Sequence, residues 1–255
     1  MSTTKSLVLL RVTNILFLAA TIVVNGLANT LALGGRTTGE ISDLYPTLIT
    51  PAGYVFSIWG LIYALLVIFI VFQALPSQRE KPFLREIGFL FVLSSVLNML
   101  WLFLWHYGQI ALSVAPMFGL LAMLIAIYLR LRIGKSDVSL KEKLCVHLPF
   151  SVYLGWITVA SIVNVAAALV SVSWDGLGIG EVTWGILVIV IAMIITLAVT
   201  ATRRDIAYSL VIVWALVGII VKQSPYQNIV VAAEISAIII AIALTVVIIA
   251  YGLKR

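Results

Sequence analysis

Eight long apolar runs, each about the length of a bilayer crossing, leave this chain few folds to choose from. They lie at about 7–33, 53–75, 84–106, 110–132, 145–170, 182–201, 205–222 and 228–252. A hydrocarbon core about 30 Å thick needs roughly 20 helical residues to cross it. Backbone polar groups must be satisfied internally there, so helices and closed barrels are the spanning options. Barrel strands alternate apolar and polar residues over about 10 positions, whereas these runs are nearly continuous, as in 61–75 and 237–251. Only 10% of the residues are charged, against roughly 25% in a soluble domain, so water is not the main solvent for this surface. The sequence therefore predicts an all-α, polytopic transmembrane helix bundle of about eight spans.

The boundaries are punctuated. Gly34, Gly35 and Arg36 close the first run, Pro76 and Ser77 the second, and Pro82 precedes the third. Tyr107, Gly108 and Gln109 form a tight connection between the third and fourth. A charged stretch follows the fourth at 134–143, and a Gly-rich acidic loop follows the fifth at 173–181. Arg203–Arg204 and Ser224–Pro225 separate the last three. Charge tests the count independently, because cytoplasmic loops collect Lys and Arg. With eight crossings, 14 of the 16 basic residues fall on the side of both termini, leaving Arg36 and Lys222 opposite. Both termini are thus expected in the cytoplasm, with a plasma or inner membrane as the default location. The first run also admits a reading as a signal peptide. Its apolar stretch is longer than the roughly 7–15 residues of a typical signal core, and Arg11 lies inside it.

Several function classes recede at once. The net charge of +6 would suggest nucleic acid in a soluble protein, but here it is topogenic, and no nucleic-acid partner is expected. One cysteine, Cys145, provides neither a disulfide framework nor a cysteine metal cluster. His106 and His147 stand at span ends without a neighbouring metal or protease pattern. Catalysis needs converging titratable groups, so no enzyme and no required cofactor is expected. Glu234 is different: a carboxylate in a span costs on the order of 2.5–3.5 kcal/mol on insertion scales. It is a candidate proton or ion contact, and it supports an alternative reading as a coupled secondary transporter. Against that reading, paired broken helices of the inverted-repeat kind are not evident. Ala232, Ala233, Ala237 and Ala241 allow a close helix contact of the sort a homodimer uses.

Three spans carry aromatic stripes. Phe56, Trp59 and Tyr63 follow one helical face, Asn98, Trp101 and Trp105 another, and Tyr153, Trp156, Ala160 and Asn164 a third. Rings beside amides suit a bundle interior that stacks a flat ligand and orients it with a few polar groups. The same spacing also suits plain interhelical packing.

At these residues the chain resembles the tryptophan-rich sensory protein family (TspO, also called translocator protein or peripheral-type benzodiazepine receptor). The stretch from Pro51 through Phe56 and Trp59 to Tyr63 resembles the family's loop-to-helix signature. Asn98 to Trp101 resembles its Asn-x-x-Trp helix. Tyr153 to Asn164 resembles its Tyr-x-x-Trp-x-x-x-Ala-x-x-x-Asn helix. The resemblance covers about residues 7–171. It implies a TspO-like five-helix bundle at 1–171, with an additional three-helix transmembrane region at 172–255. It further implies a pocket for a porphyrin- or tetrapyrrole-like ligand beneath the first loop. Trp59 and Trp156 would be its walls, and Phe56, Tyr63, Asn98, Trp101, Tyr153, Ala160 and Asn164 would complete the site. The loop at 34–52 is long enough to act as a lid. Departures are the missing loop tryptophans, Val152 where the family prefers proline, and the absent sterol-recognition motif after Asn164. The resulting expectation is a membrane binding or sensory protein, with a transport role open.

Overall fold

The structure, a computed structural model, describes residues 3–30 and 33–252. Residues 31–32, inside the expected first span, and the basic pair Lys254 and Arg255 lie outside the described residues. Among those described, the chain runs through α1 (Thr3–Asn29), α2 (Thr38–Asp43), a 3₁₀ turn (Gly53–Ser57), α3 (Ile58–Ala74) and α4 (Phe83–Ile87). It continues through α5 (Leu90–His106), α6 (Ile110–Arg130), α7 (Leu140–Glu142), a π turn (Lys143–His147) and α8 (Leu148–Ser171). The last three helices are α9 (Glu181–Arg203), α10 (Ile206–Lys222) and α11 (Gln227–Gly252). No strand is present among the described residues. Six runs are long and apolar enough to cross a membrane by length and composition. The other two apolar helices, α5 and α10, have 17 residues each, which reaches about 26 Å at the helical rise of about 1.5 Å per residue. The chain folds as a helical membrane bundle.

Helix α8 is the axis of the molecule. It packs against α6 on one side and α10 on the other, while α1 and α6 flank α5 and α11 covers α9 and α10. Its sequence explains the position, since residues 150–157 are buried without interruption. An apolar helix buried all round belongs at the centre of a bundle. The π turn lies directly before this helix, next to Pro149. In a regular α-helix the Pro149 ring would press on the carbonyl four residues back, and a wider turn relieves that crowding.

The third span differs from expectation. It begins at Leu90, not near 84, because Gly88 takes φ 52° and ends α4. Arg85 and Glu86 stand just before the break, but Phe83, Leu84 and Ile87 around them are apolar, so a hydropathy reading carries the span back through them. The short α4 instead buries Phe83, Leu84 and Ile87. Phe83 joins Phe69, Phe72, Phe91 and Phe150 in a ring cluster whose centroids lie 5.2–6.4 Å apart. This cluster packs the end of the bundle opposite the α2 loop.

Gly155 sets the approach of α8 to α10. A Cβ there would lie 3.1 Å from both the Tyr208 carbonyl oxygen and the Val211 Cβ. Small residues let membrane helices approach closely, and overpacking such a contact costs roughly 1–3 kcal/mol. Gly155→Leu is expected to lower the melting temperature in detergent, followed by tryptophan emission. Gly60→Ala, with nothing near its added methyl group, should leave it unchanged. Equal melting of both variants would mean that the α8–α10 contact tolerates separation.

Candidate functional site

Trp59, in the first turn of α3, is where three helices meet. Its indole stacks on Tyr63 of the same helix at 5.6 Å and on Trp101 of α5 at 5.9 Å. Two α8 rings meet it edge to face, Tyr153 at 6.1 Å and Trp156 at 6.2 Å. Phe56, carried in by the 3₁₀ turn, meets Trp156 at 5.7 Å, and Trp105 stacks on Trp101 at 5.9 Å. Offset and edge-to-face pairs at these distances are the arrangements aromatic rings favour.

Amides lock the rings from behind. Asn25 of α1 donates to Asn98 at 2.9 Å, and Asn98 donates to the Tyr153 hydroxyl at 3.2 Å. On the next layer, Trp101 Nε1 donates to Asn164 Oδ1 at 3.0 Å, while Asn164 Nδ2 donates to Ser113 of α6 at 2.9 Å. One indole stands apart. Trp156 is 1% exposed, and its Nε1 has no hydrogen-bond partner.

These rings line a cavity of about 20 Å³, which is room for about one water molecule. Phe56, Trp59, Trp101, Trp156, Ala160 and Asn164 form its walls, and Trp105 also contributes. Thr38 and Ser42 of α2 cover it, and the Ser42 hydroxyl is likewise buried without a partner. A second cavity of about 220 Å³ lies beside it, between Pro46 to Ile49 of the loop, the end of α8 and the start of α9. Its walls include Trp174 and Trp184, 5.4 Å apart.

The α2 lid is built from local chemistry. Thr37 and Glu40 form a reciprocal capping box. The Thr37 backbone N–H and hydroxyl hold the Glu40 carboxyl below its ordinary range, with Arg36 assisting. Trp105 Nε1 donates to the Thr38 carbonyl at 3.2 Å. His106 Nδ1 sits 2.9 Å from the Leu33 carbonyl, which can only accept, so that nitrogen carries the proton. Its Nε2 then accepts from the Thr38 hydroxyl at 3.3 Å. Gly34, at φ 69°, fits against the His106 carbonyl, where a Cβ would come within 2.7 Å.

Helix α10 latches the lid from outside. Gln223 Nε2 donates to the carbonyls of Thr47 and Thr50 at 3.1 and 3.2 Å. Ala52 N donates to the Gly218 carbonyl at 3.0 Å, and Trp214 Nε1 to the Val55 carbonyl at 3.2 Å. Lys222 pairs with Asp43 at the end of α2. Helix α10, from the last three, therefore forms part of the site's closure, a role that hydropathy alone does not reveal.

Six of the nine expected ligand residues line the slot. The other three, Tyr63, Asn98 and Tyr153, are absent from its lining and form the layer that supports Trp59. One helical turn along each stripe separates the two groups, so spacing alone merges them. Trp105, Thr38 and Ser42 were not among the expected site residues. Trp105 had a signal, being four residues from Trp101 on the same face. Glu234 is placed apart from this site, on the exposed face of α11, and lines none of the cavities described here.

The latch makes a measurable prediction. In a Cys145→Ser background, Ser42→Cys should resist a polar maleimide. Adding Gln223→Leu leaves the Thr50 carbonyl unpaired, while the Thr47 carbonyl keeps the Thr50 N–H; the loss costs roughly 1–3 kcal/mol and should speed labelling by about ten-fold or more. An unchanged labelling rate would show that α10 does not hold the lid.

Comparison with known proteins agrees with this architecture. No curated protein and no solved structure matches the chain. A family model described as TSPO-like protein matches residues 11–249, through all eight apolar helices and beyond the 7–171 over which the motif resemblance runs. On that match, the chain is a membrane protein belonging to the TSPO-like protein family.

Proposed function

We propose that the protein binds and senses a planar hydrophobic ligand of the porphyrin or tetrapyrrole kind, held between Trp59 and Trp156 beneath α2. The carrying observation is the convergence of rings from α3, α5 and α8 on one slot. The unpartnered Trp156 Nε1 supports it, since a buried N–H that no protein group uses is available to a ligand acceptor. Ala160 supports it too, because a small side chain one turn from Trp156 leaves the slot open on that side.

Size defines the mechanism. Pockets for drug-sized ligands run to roughly 300–1,000 Å³, far beyond the present slot, so binding requires the lid to lift. Segment 48–51 lies between the slot and the 220 Å³ cavity beside it, since its residues line both. Raising that segment joins the two spaces and gives a flat macrocycle a continuous path to Trp59. Amides, hydroxyls and indoles face the ligand, which fits binding and signalling without catalysis or a required cofactor. Charge asymmetry supports cytoplasmic termini, a plasma or inner membrane being the default location, and this orientation would put the slot near the opposite face.

Titration with protoporphyrin IX, read by quenching of tryptophan emission in detergent, tests this reading. Trp59→Ala with Trp156→Ala should weaken binding by about thirty-fold or more, as aromatic anchors are commonly worth 2 kcal/mol or more. Ala160→Leu fills the slot with both indoles kept, and should also weaken it. Affinity unchanged in both variants refutes the site.

A further inference from the structure

The aromatic slot is far smaller than a cavity elsewhere in the structure. A cleft of about 600 Å³ opens at the other end of the bundle, on the side of the end of α11. It is bounded by the π turn before α8, the α9–α10 turn and the end of α11. Its lining divides by chemistry. Lys143, Arg203 and Arg204 contribute three cations. Leu144, Leu148, Val247 and Ile248 contribute apolar side chains from two helices, and Leu144 and Ile248 are exposed.

The backbone holds this arrangement in place. The π turn carries Lys143, Leu144 and His147 into the lining of the cleft. Arg204 caps α9 in the left-handed conformation, at φ 55°. Gly134 seats directly against the Arg203 carbonyl, leaving no room for a side chain. The Arg203 guanidinium lies over the Tyr128 ring at 5.7 Å. The acid in the lining is Asp205, and both of its oxygens are engaged. Ser151 Oγ donates to one at 2.6 Å and the Tyr208 backbone N–H to the other at 3.1 Å. Three cations against this one acid give the lining a positive formal charge.

We infer that this cleft binds an anionic phospholipid, its headgroup against Lys143, Arg203 and Arg204 and an acyl chain between Leu148 and Ile248. The apolar groove faces hydrocarbon and must be filled by it. A soluble anion would satisfy the cations and leave that groove untouched. A zwitterionic choline head would bring its own cation toward three others. Basic pockets between helices at a membrane boundary suit anionic headgroups for this reason.

The test uses the full chain in detergent mixed with phosphatidylglycerol and phosphatidylcholine, read by native mass spectrometry. Wild type should retain phosphatidylglycerol preferentially. Lys143→Gln with Arg204→Gln should cut that preference by about five-fold for each charge removed. Ile248→Trp, which fills the groove, should lower retention of lipid with every cation in place. Equal retention of the two lipids by wild type would overturn the proposal without recourse to any variant. Displacement of the lipid by millimolar inorganic phosphate would overturn it too, assigning the cations to a soluble anion.

Discussion

In hydrocarbon a buried amide can bond only to protein, and that restriction organises this molecule around Trp59. Asn25, Asn98 and Tyr153 link α1, α5 and α8 in one chain of hydrogen bonds. Trp101, Asn164 and Ser113 link α5, α8 and α6 in another. Each bond contributes little net stability, about 0.6 kcal/mol on average in a membrane protein. Their larger effect is on rotation. Turning any of these helices would strand an amide in a medium with no water, so the aromatic faces are held toward one another. The rings then fill the space that the amides define.

The same restriction explains why the closure of the slot involves a distant part of the chain. The loop at 34–52 presents the carbonyls of Thr47 and Thr50 to the end of α10, and within the loop only the first has a partner, the Thr50 N–H. Gln223 satisfies both, and Gly218 and Trp214 complete the seam with Ala52 and Val55. Lifting the loop therefore breaks bonds to α10, and α10 is packed on α8, which carries Trp156. Ligand entry as proposed above would therefore act on the placement of α10 through those shared contacts. A sensor needs such a connection between its ligand and a second part of its structure.

Much of this was legible in the sequence because membrane helices announce themselves by length and by loop charge. The eight apolar helices, six of them long enough to cross a membrane, and the three aromatic stripes follow from hydropathy and helical spacing. What hydropathy misses is backbone conformation. Gly88 breaks the third run at a single positive φ, and the charged pair Arg85 and Glu86 just before it was the signal that a span starting near 84 passes over. Spacing also flattens depth: Tyr63, Asn98 and Tyr153 share faces with Trp59, Trp101 and Trp156, yet they support the slot without lining it. The lid was visible only as a long loop. Its helix depends on a six-residue capped segment too short to form alone, and its latch on Gln223, an ordinary polar residue at a helix end. Glu234 shows the converse. Its charge made it conspicuous, but it projects from the outer face of α11 and away from the rings.

The buried Trp156 N–H narrows the chemistry that can fill the slot. A cavity the size of one water, bordered by an unpaired indole N–H and the α2 residue Ser42, with its unpaired hydroxyl, is suited to a single polar occupant. Replacing a well-held water with a group that cannot reproduce its hydrogen bonds loses affinity. A purely hydrocarbon ligand would gain stacking on Trp59 and leave the Trp156 N–H unsatisfied. A flat ligand with an acceptor at its edge gains both. For the ligand proposed above, that single hydrogen bond within an otherwise apolar surface would favour polar-edged macrocycles over molecules of similar bulk with no acceptor at their edge.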